Sequence, residues 1–77
     1  MSRLPMLDFR KVDKVLHYLG FEQTRQKGSH IFYRHPDGRT TTVPFHKSRD
    51  ITRPLLREIL REVETDPDEL ERILSEI

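Results

Sequence analysis

Apolar residues recur at helical spacing near both ends of the chain and at strand spacing between them. Phe9, Val12, Val15, Leu16 and Leu19 fall three, four and seven apart, which predicts a helix over 8–19 with one buried stripe. Asp8 stands where an N-cap is needed. Gly20 stands where the chain must turn left-handed to stop, and Phe21 can then fold back on Leu16 in a Schellman-type ending. The period changes at once. Glu22–Lys27 is a polar run that fits an edge strand with one wet face, and Gly28-Ser29 makes a tight connection. His30–Arg34 is aromatic and β-branched, as strands are. His35-Pro36-Asp37-Gly38 carries proline second and glycine fourth, the pattern of a type I turn. A third strand over 39–43 ends at Pro44, which cannot donate to a ladder and is expected where the chain leaves the sheet. Thr41 and Val43 share its core face. In the second strand the alternation leaves two solutions open: Ile31 and Tyr33 inward, or Phe32 inward with His30 and Arg34 on its side.

Residues 45–53 read as a basic loop. A helix follows with Thr52 as N-cap, Pro54 in the first turn, and Leu55, Leu56, Ile59, Leu60 and Val63 on one face. Asp66-Pro67-Asp68-Glu69 is a restart signal, a cap followed by proline and an acid three residues on. It opens a short last helix with Leu70, Ile73, Leu74 and Ile77 in a stripe. The expected fold is therefore α+β, in the order α-β-β-β-α plus a short C-terminal helix. A three-stranded antiparallel sheet packs on the helices, and residues 1–77 form a single domain. A chain of 77 residues buries only about 60% of its unfolded surface and has no room for a deep cleft.

Composition refines this picture. Charged residues make up 35% and hydrophobic ones 34%, a polar balance, but the periodicity argues for a folded chain rather than a disordered one. The chain has no cysteine, hence no disulfide and no thiolate metal site, which points to a reducing compartment. Neither a signal-like apolar run nor a stretch approaching the ~20 residues of a membrane span is present, so a cytoplasmic protein without a membrane partner is expected. The net charge of +1 hides an asymmetry. Through Arg53 there are eleven Lys and Arg against five Asp and Glu, and from Pro54 onward three against eight. Local positive potential, rather than overall charge, draws a polyanion.

That potential coincides with the candidate chemistry. Residues 25–46 hold three of the four histidines, with Arg25, Lys27, Arg34 and Arg39 against a single acid, Asp37. RNA fits such a surface. Cleavage without a metal needs a base for the ribose 2′-hydroxyl, a stabiliser for the charge on phosphorus and an acid for the leaving oxygen. Histidine suits the first role, being largely neutral near pH 7. His30, put by the Gly28-Ser29 turn at the start of a strand where the backbone is fixed and the side chain can face solvent, is either the candidate base or a merely solvated strand-edge histidine. Arg25 and Lys27 alternate onto one strand face, where they either hold phosphates or guard an edge against aggregation. Ser29 can donate to a phosphate oxygen. Arg34 and Lys47 add phosphate contacts, and His46 is a second proton-transfer candidate or a phosphate ligand. His35, before proline in a turn, reads as structural, and His17 as a solvated helix residue. No zinc spacing, glycine-rich phosphate loop or catalytic triad occurs, and neither a metal nor a small-molecule cofactor is expected. Two other classes stay open: a non-catalytic RNA-binding module, and a protein-interaction domain working through the acidic helical end.

The residues Gly20-Phe21, Gln26-Lys27-Gly28-Ser29-His30, His35-Pro36-Asp37-Gly38 and Val43-Pro44 followed by His46, in this order and spacing, resemble the HicA family of toxin endoribonucleases, the YcfA-like proteins. The resemblance spans nearly the whole chain. It implies a fold similar to the double-stranded RNA-binding domain and metal-free cleavage of mRNA. It also implies inhibition by a HicB-like antitoxin, and a catalytic histidine in the Gly-Ser-His turn, here His30. The chain departs from the family after His46: where many relatives have a glycine near the start of the second helix, this one has residues 50–54, and the acidic third helix is its own.

Overall fold

The computed structural model describes residues 4–77. Helix α1 (Phe9–Tyr18) is preceded by a two-residue strand β1 (Leu7–Asp8). The Asp8 carboxylate accepts the Lys11 backbone N–H at 2.9 Å, meeting one of the orphan donors of the first turn. Val12, Val15 and Leu16 are buried. The helix stops as its sequence requires: Gly20 adopts φ +96° and the Phe21 N–H donates to the Leu16 carbonyl at 2.9 Å, which sends the Phe21 ring fully into the core. Gly20 is also packed closely. A Cβ there would sit 3.0 Å from His35 Nε2, so alanine meets both a left-handed backbone and a neighbouring ring. Gly20→Ala is expected to cost about 1–3 kcal/mol, read as a lower urea midpoint with an unchanged m-value.

Strands β2 (Glu22–Lys27), β3 (His30–Arg34) and β4 (Thr40–Pro44) form an antiparallel sheet in the order β2-β3-β4. The structure resolves the ambiguity of the middle strand. Ile31 and Tyr33 face the helices, paired across to Val43 and Thr41, while His30, Phe32 and Arg34 face outward. Tyrosine is inside because its hydroxyl has a partner there. It donates to Asp13 Oδ1 on α1 at 2.6 Å, with Gln23 Nε2 at 3.4 Å. Burial first, and then this hydrogen bond, hold the Tyr33 hydroxyl well above the ordinary tyrosine range. A group whose folded pKa is raised contributes stability that is fully present below the unfolded pKa, near 10, and is lost as pH rises beyond it. Between those limits the slope is about 1.4 kcal/mol per pH unit. Urea titrations from pH 9 to 11 should show this alkaline loss in the native protein and a flatter profile in Tyr33→Phe.

Three details differ from the sequence reading. The third strand runs Thr40–Pro44 rather than 39–43, so Pro44, where the chain leaves the sheet, is still paired opposite His30. Among the described residues this edge of β4 faces no further strand, so its missing N–H costs nothing to the ladder. Residues 45–53 are not simply a loop, since β5 (Asp50–Ile51) pairs with β1 as Leu7↔Ile51 and Asp8↔Asp50, burying Leu7 and Ile51. Ile77 is exposed at 37% because the last helix ends before it.

Helix α2 (Arg53–Glu62) starts after Thr52, whose side chain makes no capping bond. The helix buries Leu56, Ile59 and Leu60, and Val63 follows them into the core. Helix α3 (Pro67–Leu74) is capped by the Asp66 carboxylate, which accepts the Glu69 N–H at 2.8 Å, and inserts Leu70 and Ile73. All these side chains join one contiguous cluster, so the sheet is covered on one face and bare on the other.

Candidate active site

The bare face is where the sequence-predicted residues meet. Cross-strand partners share a face, and the register places Lys27, His30 and Pro44 in one row and Arg25, Phe32 and Thr42 in the next. Arg34 follows, between Glu22 and Thr40. The alignment depends on an irregularity at Thr24. Glu22 pairs with Arg34 and Gln23 with Tyr33, but Arg25 pairs with Phe32, so Thr24 is an extra residue. This bulge lets Gln23 point inward to the Tyr33 hydroxyl while Arg25, two residues on, points outward. The Arg25 guanidinium carbon lies 4.5 Å from the Phe32 ring centroid, a cation–π contact that holds the cation flat against the sheet.

His30 is exposed, and its ring makes no hydrogen bond or ion pair with any described residue. Its backbone is held firmly. Gly28 turns the hairpin at φ +59°, and Gln26 Nε2 donates to the Gly28 carbonyl at 3.0 Å. The half-buried Ser29 accepts the Phe45 N–H on its carbonyl at 2.6 Å. Nothing lies within 4 Å of the site where a Gly28 Cβ would be, so this glycine is required by its conformation and not by crowding. A fixed backbone beneath a free imidazole is what proton transfer at a mobile polymer needs.

His46 and Lys47 do not join the His30 row. They lie beyond β4 and, with Asp8, Phe9, Arg10, Phe45, Ser48, Arg49 and Asp50, line an open basin of about 420 Å³. The turn at its rim is closed by the Arg49 N–H on the His46 carbonyl at 3.2 Å, with Ser48 at φ +72°. Sequence reasoning missed the aromatic floor of this basin, where the Phe9 and Phe45 rings meet edge to face at 4.8 Å. The available signal was a phenylalanine set directly before a run of cations.

His35 has a packing role and His17 a helix-surface one. His35 sits edge-on to Phe21 at 5.2 Å, and its Nδ1 accepts the Asp37 N–H at 3.1 Å. Asp37 in turn accepts the Arg39 backbone N–H and pairs with the Arg39 side chain, and these contacts hold its carboxyl below the ordinary range. Arg39 therefore faces the Asp37 turn and donates to the Val63 carbonyl, away from the His30 row. His17 is exposed beside Asp13. Among the described residues, no three His, Asp or Glu side chains converge as a metal site, and no helix is long and apolar enough to cross a membrane.

Comparison with known proteins gives one result consistent with this geometry. The family model described as HicA toxin of bacterial toxin-antitoxin matches residues 9–64, and no curated protein matches the chain. The matched segment is well over half of the 77 residues and runs from the first residue of α1 through the sheet and the His30 turn to the end of α2. The chain therefore belongs to the HicA family, the toxins of bacterial toxin-antitoxin systems.

Proposed function

We propose that this toxin is a metal-independent endoribonuclease of mRNA with His30 as its general base. The carrying observation is the exposed, unpartnered His30 ring in a row with Lys27 and beside the Arg25–Phe32 pair. The neutral imidazole takes the proton of a ribose 2′-hydroxyl as that oxygen attacks the adjacent phosphorus. Negative charge gathers on the non-bridging oxygens, where Lys27 and the Ser29 hydroxyl stabilise it. The 5′-oxygen leaves with a proton from water, giving a 2′,3′-cyclic phosphate and a 5′-hydroxyl. Arg25 and Arg34 hold neighbouring phosphates, while His46 and Lys47 take up the chain where it leaves the sheet. Phe32, half-exposed and already stacked on Arg25, offers a face to a base.

Cleavage of a long single-stranded RNA in excess chelator tests this reading. Fragments with 2′,3′-cyclic ends support it, and an RNA that is bound but never cut overturns it. One observation favours that second reading, a non-catalytic RNA-binding module: among the described residues, no second histidine and no carboxylate stands in the His30 row. Loss of Arg25 should weaken RNA binding about equally for all sequences and lower the slope of log K against log salt by roughly 0.7, measured by fluorescence anisotropy. An edge charge serving only against aggregation would leave that slope unchanged. The antitoxin, in this reading a HicB-like protein, silences the toxin by laying an acidic face over the row, and the substrate places the activity in the cytoplasm.

A further inference from the structure

From the basin beyond β4 we infer a second RNA subsite, a pocket that takes one unstacked base next to the cleaved phosphate; the inference rests on the ribonuclease reading above. Phe45 is 40% exposed, although it follows a strand and touches Phe9, and it lines the basin. Around it stand Arg10, His46, Lys47 and Arg49, against the carboxylates Asp8 and Asp50. Asp8 is already engaged as the cap of α1. An aromatic face ringed by cations is the arrangement that binds single-stranded nucleic acid, the ring stacking a base and the cations meeting its flanking phosphates. A volume of about 420 Å³ lies within the range of small-ligand sites, roughly 300–1,000 Å³.

Position strengthens the assignment. Phe45 is the residue after Pro44, the cross-strand partner of His30, and its N–H is bonded to the Ser29 carbonyl. The subsite and the candidate base are thus tied by backbone contacts to the same hairpin turn. Splaying one base into the basin would pull the sugar-phosphate backbone past His30 and bend it away from the stacked geometry, in which the 2′-oxygen is poorly aligned with the leaving group. Phe45 is in this account a positioning residue rather than a catalytic one.

Phe45→Leu keeps the apolar contact with Phe9 but removes the π-face, whereas Phe45→Tyr keeps both. Binding of a fluorescein-labelled oligoadenylate is measured in the His30→Ala background, where cleavage cannot intervene, and cleavage is measured with His30 intact. The expected result is a roughly 5- to 150-fold loss of affinity for Phe45→Leu, near-native affinity for Phe45→Tyr, and a fall in cleavage rate that follows the affinity. If native protein cuts RNA and Phe45→Leu binds and cuts like it, the subsite is overturned and the ribonuclease reading stands. A native protein that neither binds nor cuts overturns both. Native-like melting curves for Phe45→Leu would show that a loss is not unfolding; if that variant melts early and Phe45→Tyr also loses affinity, the ring is structural and the inference fails.

Discussion

His30→Ala is expected to lower cleavage of single-stranded RNA by roughly 10²–10⁴-fold, the usual contribution of a positioned general base. Stability should change by no more than about 0.5 kcal/mol, as for other exposed substitutions. The separation of these two effects follows from the geometry. The ring makes no bond to any described residue, and the turn that presents it is held by backbone contacts of Gly28 and Ser29. Nothing in the fold is lost with the imidazole. Rates measured in chelator, together with melting curves for both proteins, decide the matter. A variant that cuts as fast as native protein would remove His30 from the chemistry and direct attention to His46. A variant that fails to fold would mean that the ring has a structural partner the geometry does not reveal.

The largest stability effect is expected outside the family-matched segment. Ile73 is 0% exposed on α3, beyond the last matched residue, and Ile→Ala at a fully buried site costs about 2–5 kcal/mol. Small domains have only about 5–15 kcal/mol in all. At roughly 4–8 °C per kcal/mol for a chain of this size, the melting temperature should fall by roughly 8 °C or more. Ile77→Ala, four residues on at an exposed position, is the control and should change little. Equal melting of Ile73→Ala and native protein would show that α3 does not belong to the core in solution. The acidic third helix, an individual addition by sequence, would then have an external role.

How much of this was legible in advance depends on how strongly each residue is constrained locally. The end of α1 was, because Gly20 and Phe21 are decided by a backbone angle and one adjacent contact. The three strands and the Asp66 restart were readable for the same reason. The buried face of β3 was not, since His30–Arg34 carries large side chains on both faces. The choice was made by Asp13 on another element, which supplies a partner that Tyr33 can use and Phe32 cannot. The β1–β5 pair was invisible because two residues have no period: Leu7 and Ile51 look like isolated apolar positions until the fold brings them together. At the candidate site, Arg25 and Lys27 were correctly placed on one strand face. Their alignment with His30 and Phe32 required the register, and the Phe9–Phe45 floor joins residues from opposite halves of the chain.

The extra residue at Thr24 also bears on how this strand can vary in length. In a regular strand, inserting or losing one residue turns over every side chain beyond it, which here would send Lys27 and Arg25 to the wrong side of the sheet. Thr24 is unpaired, so a chain lacking it would still match Gln23 to Tyr33 and Arg25 to Phe32, at the loss of one weak hydroxyl contact to the Phe32 carbonyl. Removing Thr24 is therefore the one-residue change in this strand expected to leave both cations on the outward face. A Thr24 deletion variant should accordingly keep RNA affinity, whereas deleting Gln26 in β2 should turn Arg25 inward and weaken it.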